Sequence, residues 1–194
     1  MEENILVVAA MKMELPPIKE AIHTGFGKER TKKRIYEVLK DKRPSLVISV
    51  GLVGAVIPEL KAGDIFLPDR IVDYENPARI YNLDVIEKGR MPILDKMGAV
   101  PRFDGLLVTV PKVFNKEDKY ELKKLFSSAC AVDMETSAIA EAVLPLGIPL
   151  VCIKAVSDEL DFDFRDKKTL SNNIKVAVKN YTDYLWKKFP QLKK

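Results

Sequence analysis

The sequence predicts a three-layer α/β/α fold with a central mixed sheet. Short apolar runs rich in β-branched residues alternate with longer stretches whose apolar residues share one helical face, and glycines separate many of them. Continuous apolar runs are typical of strands covered on both faces, as in α/β proteins. The 194 residues suit one compact domain that can bury a sizeable core, so we expect 1–194 to form a single domain.

Six apolar runs predict the strands. In chain order they are 5–10, 45–50, 65–72, 106–110, 129–132 and 148–156. The second run ends at Gly51, and the third follows the turn Ala62-Gly63-Asp64, so glycines delimit both.

Five stretches predict helices, at 12–22, 28–40, 116–126, 136–144 and 171–189. In the second helix Ile35, Val38 and Leu39 share one face while Lys and Glu occupy the other. We expect a loop or short helix over 52–60, a loop over 162–170, and a long polar excursion over 73–102. Loops as long as the last are usually lids or interface segments.

Charge and cysteine usage narrow the class of protein. The formal net charge is +4, but the basic residues are mixed with acids, so we expect no nucleic-acid partner. The first apolar run is too short to cross a bilayer and lacks a basic flank, so we expect no membrane association and no signal peptide. Cys130 and Cys152 lie among small or branched apolar residues, which indicates buried, reduced thiols in a cytoplasmic protein.

Three acidic positions follow apolar strands, where open α/β sheets place their ligand sites. Glu14 follows the first strand, Glu135 follows the fifth, and Asp158 follows the sixth directly after Ser157. Each also has a purely structural interpretation, because carboxylates favour helix N-termini and cap turns. The same holds for Asp133, which with Glu135 brackets Met134.

Together the three acids fit the cleavage of a glycosidic bond. Such a reaction needs an acid to protonate the leaving base, a carboxylate to hold the sugar, and a base to activate the nucleophile. An aspartic acid in a partly dry pocket keeps its proton more readily, as a donor must.

Other chemistry finds little support in the sequence. His23 is interpreted as a cap at the end of the first helix, and no Cys/His spacing suits a metal, so we expect neither metal nor cofactor. Gly25-Phe26-Gly27-Lys28 suggests a phosphate loop but lacks the full pattern of a P-loop or dinucleotide site.

These residues resemble the nucleoside phosphorylase/nucleosidase superfamily, and most of all its methylthioadenosine/S-adenosylhomocysteine nucleosidase and futalosine hydrolase branch. Six segments occur in the family's order, from the first strand to the last. They are Val8-Ala9-Ala10-Met11 with Glu14, Thr24-Gly25-Phe26-Gly27-Lys28, Val50-Gly51-Leu52-Val53-Gly54, Ala62-Gly63-Asp64-Ile65, Val132-Asp133-Met134-Glu135 with Ala138, and Ser157-Asp158.

The resemblance implies a role for each site residue. Glu14 would activate the attacking water, and Asp158, oriented by Ser157, would protonate the purine ring. Glu135 would bind the ribose hydroxyls, with Met134 packed against the sugar. The hydrophobic and base-stacking walls would include Phe26, Val113 and Phe114, and the nucleophile or phosphate side would include Gly25, Lys28, Gly51 and Lys154.

Departures from the family pattern shape the expected reaction. Ser49 and Leu52 stand where phosphorylases carry an arginine and a Ser or Thr that bind phosphate, so hydrolysis is favoured. Lys154 replaces a common arginine, which keeps the charge but loses the planar fork. The family's Ser-Asp ending favours an adenine-type base, whereas futalosine hydrolases tend to end in Ser-Asn. The stretch from Glu14 to Gly25 is too short for the family's usual β-hairpin.

The expected function is therefore hydrolysis of the N-glycosidic bond of a purine nucleoside, with a 5′-modified nucleoside such as methylthioadenosine, S-adenosylhomocysteine or futalosine as the expected substrate. Two alternatives stay open. One is a phosphorylase in which Lys28, Lys154 or a neighbouring subunit supplies charge to phosphate, and the other is a nucleoside-binding protein with lost or weak catalysis. The resemblance also implies a homodimer or larger homo-oligomer, in which the excursion over 73–102 is the place where a dimer partner completes the 5′-substituent pocket.

Overall fold

The computed structural model describes residues 4–18, 21–83, 105–160 and 166–193. The strands are β1 Ile5–Ala9, β2 Ala21–His23, β3 Leu46–Ala55, β4 Ile65–Phe66, β5 Arg70–Asp73, β6 Asn76–Asn82, β7 Leu106–Thr109, β8 Ala129–Asp133 and β9 Leu150–Asp158. The α-helices are α1 Lys28–Asp41, α2 Lys116–Leu125, α3 Thr136–Val143 and α4 Lys167–Lys188. Short 3₁₀ turns span Lys12–Glu14, Leu144–Leu146 and Pro190–Leu192.

These strands form one mixed sheet. Its main path runs β2-β1-β3-β8-β7-β5-β6, and β9 pairs with both β3 and β4. The β1–β3 and β3–β9 pairs are parallel, whereas β8 runs antiparallel to β3. Helices cover both faces of this sheet, which confirms the predicted three-layer α/β/α fold.

Strand β3 organises the centre of the sheet. One edge of β3 pairs with β9 along most of its length. Its other edge is shared, because Val8 of β1 lies opposite Ser49, and Val132 of β8 lies opposite Gly54. Since β1 runs with β3 and β8 runs against it, the carboxyl ends of β1 and β8 face each other across the middle of β3. Both predicted glutamates follow these two strand ends.

Alternating side chains of the strands feed two cores. Leu6 and Val8 of β1 pack in the cluster that contains Ile35 of α1 and Ile139 of α3. Ile5, Val7 and Ala9 pack in a second cluster with residues of α4 that include Tyr181 and Leu185. A strand whose successive side chains alternate between two apolar layers reads as a continuous apolar run, which explains the sequence pattern.

The predicted helix over 12–22 is wrong. The chain forms the Lys12–Glu14 turn and then the edge strand β2, which pairs parallel with β1. Pro16 and Pro17 prevent a helix here, because proline lacks an N–H and disfavours α conformation in the residue before it. His23 consequently lies in a strand and is exposed, so it does not cap a helix. Between Glu14 and Gly25, where the sequence was expected to be too short for the family's β-hairpin, the described residues form the single short strand β2.

Other predicted boundaries shift. The loop or short helix over 52–60 is wrong at its start, because β3 continues to Ala55. The strand over 65–72 is two strands, β4 on β9 and β5 on β7, divided at Pro68. The excursion over 73–102 contains β6, which pairs with β5, and its remainder from 84 lies outside the described residues.

The start of the C-terminal helix and the burial of one cysteine also differ from the prediction. Helix α4 begins at Lys167, inside the loop predicted over 162–170, because Asp166 caps it by accepting the Thr169 N–H at 3.0 Å. Cys152 is buried, but Cys130 is partly exposed, and both are free thiols. Across the described ranges, no helix has the length and apolar character needed to cross a bilayer.

Candidate active site

Glu14 lies just beyond the end of β1, in the Lys12–Glu14 turn. Its side chain is buried, with the residue only 3% exposed, and it bends back over its own turn to accept the Met11 N–H at Oε2, at 2.8 Å. Pro16 and Pro17 stop the turn from becoming a helix, so the carboxylate stays at the strand end and points towards β3.

A buried ion pair lies beside this carboxylate. The Lys154 ammonium, on β9, is 3.3 Å from Asp133 Oδ2 at the end of β8 and donates to Ser49 Oγ on β3 at 3.1 Å. Lys154 is 4% exposed and Asp133 6%, so the pair is shielded from water. A buried cation of this kind requires a paired carboxylate.

Hydrogen bonds fix the orientation of Asp133. Thr109 Oγ1 donates to Asp133 Oδ1 at 2.9 Å, and the backbone N–H and hydroxyl of Thr136 also donate to this carboxylate. Asp133 therefore serves the helix N-terminus, as the structural interpretation predicted, and holds Lys154 as well.

Gly51 lies where the Lys154 ammonium and the Glu14 carboxylate approach each other. A Cβ at this position would lie 3.6 Å from Lys154 Nζ and 3.8 Å from Glu14 Oε1, so both side chains converge over the same backbone position of β3. A larger residue at position 51 would contact both groups, so the absence of a side chain at Gly51 leaves space for them.

Glu135 adds a further carboxylate beside Asp133, just after the end of β8. It is 9% exposed, and the Gly27 N–H donates to its Oε1 at 2.8 Å. Gly27 has φ of +86°, a conformation that favours glycine, and this aims its N–H at Glu135 from the start of α1. The predicted glycine segment thus contacts the predicted ribose-binding residue.

The environment shifts the pKa values of these groups. Burial raises the pKa of Glu14, while the Met11 amide and the Lys154 charge oppose the rise. Burial and the Asp133 charge raise the pKa of Glu135 to about 7. Burial works against the charge on Lys154, but Asp133 and the other carboxylates outweigh it and raise the pKa of the ammonium, which stays protonated.

Asp158 lies at the end of β9 in a different environment. It is 9% exposed, accepts the Ser157 hydroxyl at 2.8 Å and accepts the Leu160 N–H at 3.1 Å. Burial raises the pKa of Asp158, and the neighbouring Glu159 charge acts in the same direction.

Gly54 makes room for this end of the site. A Cβ at this position would lie 3.2 Å from Asp158 Oδ1 and 2.5 Å from Leu160 Cδ2, which is too close. Asp158 and Val132 lie opposite Gly54 on its two sides. Two strand spacings, about 10 Å, therefore separate the backbone of Asp158 from that of Val132, and Glu135 follows three residues later.

The predicted apolar walls differ in burial. Phe114 is 4% exposed and meets Tyr74 edge to face, with ring centroids 5.6 Å apart. Phe26 and Val113 are 47% and 57% exposed, so neither is ordinary core. Met134 is partly buried against the cluster of Phe114.

The residues predicted for the nucleophile side do not all lie beside Glu14. Gly51 and Lys154 lie beside Glu14, and the Gly25 N–H donates to the Ala10 carbonyl at 2.9 Å, which ties the glycine segment to the end of β1. The Lys28 ammonium instead binds the carboxylates of Asp73 and Glu75.

Sequence reasoning missed part of the polar network. Ser49, Thr109 and the Gly27 amide were not expected to hold site residues, and Asp133 was not expected to pair with Lys154. A serine inside the apolar run 45–50 was the available signal, because a buried hydroxyl requires a partner. In the described part of the chain, no group of three or more His, Cys, Asp or Glu residues could hold a metal ion.

Comparison with known proteins bears on this arrangement. A family model described as "Phosphorylase superfamily" matches residues 20–185. The 5′-methylthioadenosine/S-adenosylhomocysteine nucleosidase of Staphylococcus aureus (strain bovine RF122 / ET3-1) is 26% identical over 89% of this chain and 92% of its own length. The nucleosidase of the same name from Geobacillus kaustophilus is 26% identical over 71% of this chain and 65% of its own length.

Solved structures share the fold. Futalosine hydrolase of Helicobacter pylori superposes with a TM-score of 0.79 at 17% identity and 97% coverage of both chains. S-adenosylhomocysteine nucleosidase from Streptococcus pyogenes superposes with a TM-score of 0.78 at 21% identity, covering 100% of this chain and 99% of that one.

Proposed function

Because this chain belongs to the phosphorylase superfamily, whose family model matches residues 20–185, we propose that it hydrolyses the N-glycosidic bond of a 5′-modified purine nucleoside. One observation carries the proposal: the buried carboxyl groups of Glu14 and Asp158 lie at separate strand ends, and the Lys154 cation acts on Glu14 but is not among the charges that act on Asp158. The curated relatives are named as nucleosidases for methylthioadenosine and S-adenosylhomocysteine, and they supply the substrate class.

Glu14 is proposed as the base that activates water. A base must be ionised to take a proton, and a carboxylate whose pKa is raised by burial accepts that proton more readily. Lys154 offsets part of the burial, which keeps the ionised form accessible. Leu52 offers no side-chain donor to a phosphate in this region.

Asp158 is proposed as the acid that protonates the departing purine. Burial favours its protonated form, which is the form that donates, and the Glu159 charge adds to this effect, while the Ser157 and Leu160 hydrogen bonds act in the opposite direction. Ser157 donates to one carboxyl oxygen at 2.8 Å and leaves the other near the Leu160 N–H, so the group has a fixed orientation. Protonation of the base makes it a better leaving group as the ribose acquires oxocarbenium character.

Glu135 is proposed as the ribose anchor, with Met134 beside the sugar. One oxygen, Oε1, already accepts the Gly27 N–H. The second oxygen can accept a ribose hydroxyl, and a charge-assisted bond of this kind orients the sugar between Glu14 and Asp158. Phe26, Val113 and Phe114 are proposed as the apolar walls.

The pairing of the two lysines supports water over phosphate as the nucleophile. A phosphorylase without the usual arginine would draw charge from Lys28 or Lys154. Lys154 is bound by Asp133, and Lys28 is bound by Asp73 and Glu75, so neither ammonium offers uncompensated charge to an anion.

We further propose that residues 1–194 act as one domain and that the enzyme is a cytoplasmic homodimer. The two free thiols suit a reducing compartment. The exposed side chains of Phe26 and Val113 suit a pocket wall that a second subunit completes. Sedimentation of the purified chain tests the assembly.

The decisive experiment is release of free base from a panel of nucleosides with and without phosphate. The panel contains methylthioadenosine, S-adenosylhomocysteine, futalosine, adenosine and inosine. We expect base and free sugar from a 5′-modified nucleoside at equal rates in both buffers. Strict dependence on phosphate, with a sugar 1-phosphate as product, would show a phosphorylase instead. Binding without base release would show a nucleoside-binding protein.

A further inference from the structure

The backbone carbonyl of Glu14 lacks a normal helical partner. In a continuing helix this carbonyl would accept an N–H from three or four residues further on. Position 17 is Pro17, which has no N–H, and the Ile18 N–H donates to the Pro16 carbonyl at 2.8 Å. The buried carbonyl must therefore find its donor elsewhere in the fold.

Tyr181 of α4 supplies that donor. Its hydroxyl donates to the Glu14 carbonyl, across 167 positions of sequence. The side chain is fully buried, at 0% exposure, and packs in the cluster that contains Ile5, Val7 and Ala9 of β1. The hydroxyl thus joins the C-terminal helix to the turn at the end of β1.

We infer that Tyr181 is a positioning residue for the nucleophile side of the site: its hydroxyl fixes the backbone of the Lys12–Glu14 turn and thereby the Glu14 carboxylate. This inference rests on the proposed role of Glu14 as the base. Tyr181 itself contacts a backbone atom and takes no part in proton transfer.

The turn needs such support because its own hydrogen bonds are few. The Glu14 N–H donates to the Met11 carbonyl at 3.0 Å, and the Leu15 N–H donates to the Lys12 carbonyl at 3.2 Å. A single 3₁₀ turn has poorer hydrogen-bond geometry than an α-helix, and the prolines prevent its extension.

The carboxylate follows the backbone of this turn. Glu14 Oε2 accepts the N–H of Met11, three residues earlier in the same turn, and the Leu52 amide of β3 also bonds to the carboxylate. A displacement of the turn therefore shifts the carboxylate relative to β3. Displacement of a catalytic group by about 1 Å can slow a reaction about 100-fold. Burial raises the pKa of the Tyr181 hydroxyl, and the Glu14 charge adds to the rise, so the hydroxyl keeps its proton throughout the working pH range.

The test is Tyr181→Phe, which removes the hydroxyl and keeps the ring. We expect kcat for base release to fall roughly 10- to 100-fold while KM changes less than about 2-fold, because the turn orients the base without binding the nucleoside. Tyr184→Phe is the matched control, since Tyr184 lies on the same helix and is 6% exposed. Its kcat should stay within about 2-fold of that of the wild type.

A double-mutant cycle separates positioning from general destabilisation. In a Glu14→Gln background the base is already lost, so adding Tyr181→Phe should change the residual kcat by less than about 2-fold. Amide hydrogen exchange should show faster exchange at Met11 and Leu15 in Tyr181→Phe than in Tyr184→Phe.

The outcomes distinguish the two proposals. An active wild type with unchanged kcat in Tyr181→Phe would overturn the inference alone. So would an equal slowing by Tyr181→Phe in the wild-type and Glu14→Gln backgrounds. A wild type that releases no base from any nucleoside would overturn the proposed function, and the positioning role with it.

Discussion

Buried carboxyl groups lie at the end of β8 and at the end of β9, but different charges and hydrogen bonds surround them at the two strand ends. Beside β8, Asp133 and Glu135 share their surroundings with Glu14 and with the Lys154 ammonium. At the end of β9, Asp158 is held by Ser157 and Leu160, which are its own neighbours in sequence, and the charge acting on it is that of Glu159.

This difference in nearby charge supports the proposed division between an acid and a base. Burial raises the pKa of both Glu14 and Asp158, and hydrogen bonds oppose the rise at both. The nearby charges differ, because the Lys154 cation opposes the rise at Glu14 whereas the Glu159 carboxylate adds to it at Asp158. The proposed function accordingly assigns the first group to accept a proton and the second to donate one. Pairs of acids separated in this way are a common means of acid/base catalysis.

Removing the acid at β9 should have the largest effect on the reaction. Asp158→Asn keeps the size and the Leu160 hydrogen bond but cannot donate a carboxyl proton, so kcat for purine release should fall about 10²- to 10⁴-fold. Steady-state kinetics on the best nucleoside of the panel measures this. Glu159→Gln changes the adjacent carboxylate and should stay within a few-fold of wild type; equal losses in both variants would contradict the role of Asp158.

Removing the buried Lys154 cation should mainly reduce the stability of the fold. Lys154→Met leaves Asp133 buried and unpaired, which should lower the free energy of unfolding by about 3–5 kcal/mol. Urea denaturation measures it. Lys61→Met is the control, because the Lys61–Glu159 pair is exposed and contributes about 0–1 kcal/mol. Similar losses in the two variants would show that the buried pair is not required.

The carboxylates near β8 should make stability depend on pH. Since the pKa of Glu135 is about 7 when folded and 4.5 ordinarily, the folded chain binds more protons between these values, and the free energy of unfolding falls as pH rises from about 4.5 to about 7. The fall is at most about 3.5 kcal/mol.

Glu135→Gln should remove this part of the fall, as measured by urea denaturation at several pH values from 5 to 8. Glu141→Gln is the control on α3, because Lys32 and Arg79 lower the pKa of Glu141 and place its titration below this range. An identical pH dependence in wild type and Glu135→Gln would rule out the raised pKa.

Sequence patterns predicted what depends on neighbours along the chain. Apolar runs located β1, β7, β8 and β9, because burial on both faces leaves a local signal. Glu14 and Glu135 lie beyond strand ends as predicted, whereas Asp158 is itself the last residue of β9. The helix over 12–22 failed because its apolar spacing was weighed above Pro16 and Pro17, whose effect on the backbone dominates.

Contacts between distant residues could not be read in this way. The pairing of Lys154 with Asp133 and Ser49 depends on the register of β3 against β9 and on β8 meeting the other edge of β3. The donation from Tyr181 to Glu14 likewise depends on how α4 packs against β1. Strands β3 and β9 are buried on both faces, so their continuous apolar runs lack the alternation that would fix the register.

The division between acid and base is tested most directly by a substrate whose leaving group needs no protonation. A riboside with p-nitrophenolate as the leaving group serves this purpose, compared with a purine nucleoside in Asp158→Asn and Glu14→Gln. The loss in Asp158→Asn should shrink to within about 10-fold on the p-nitrophenyl riboside, because the acid is no longer required, while the loss in Glu14→Gln should persist on both substrates. An equal loss on both substrates in Asp158→Asn would contradict its role as the acid.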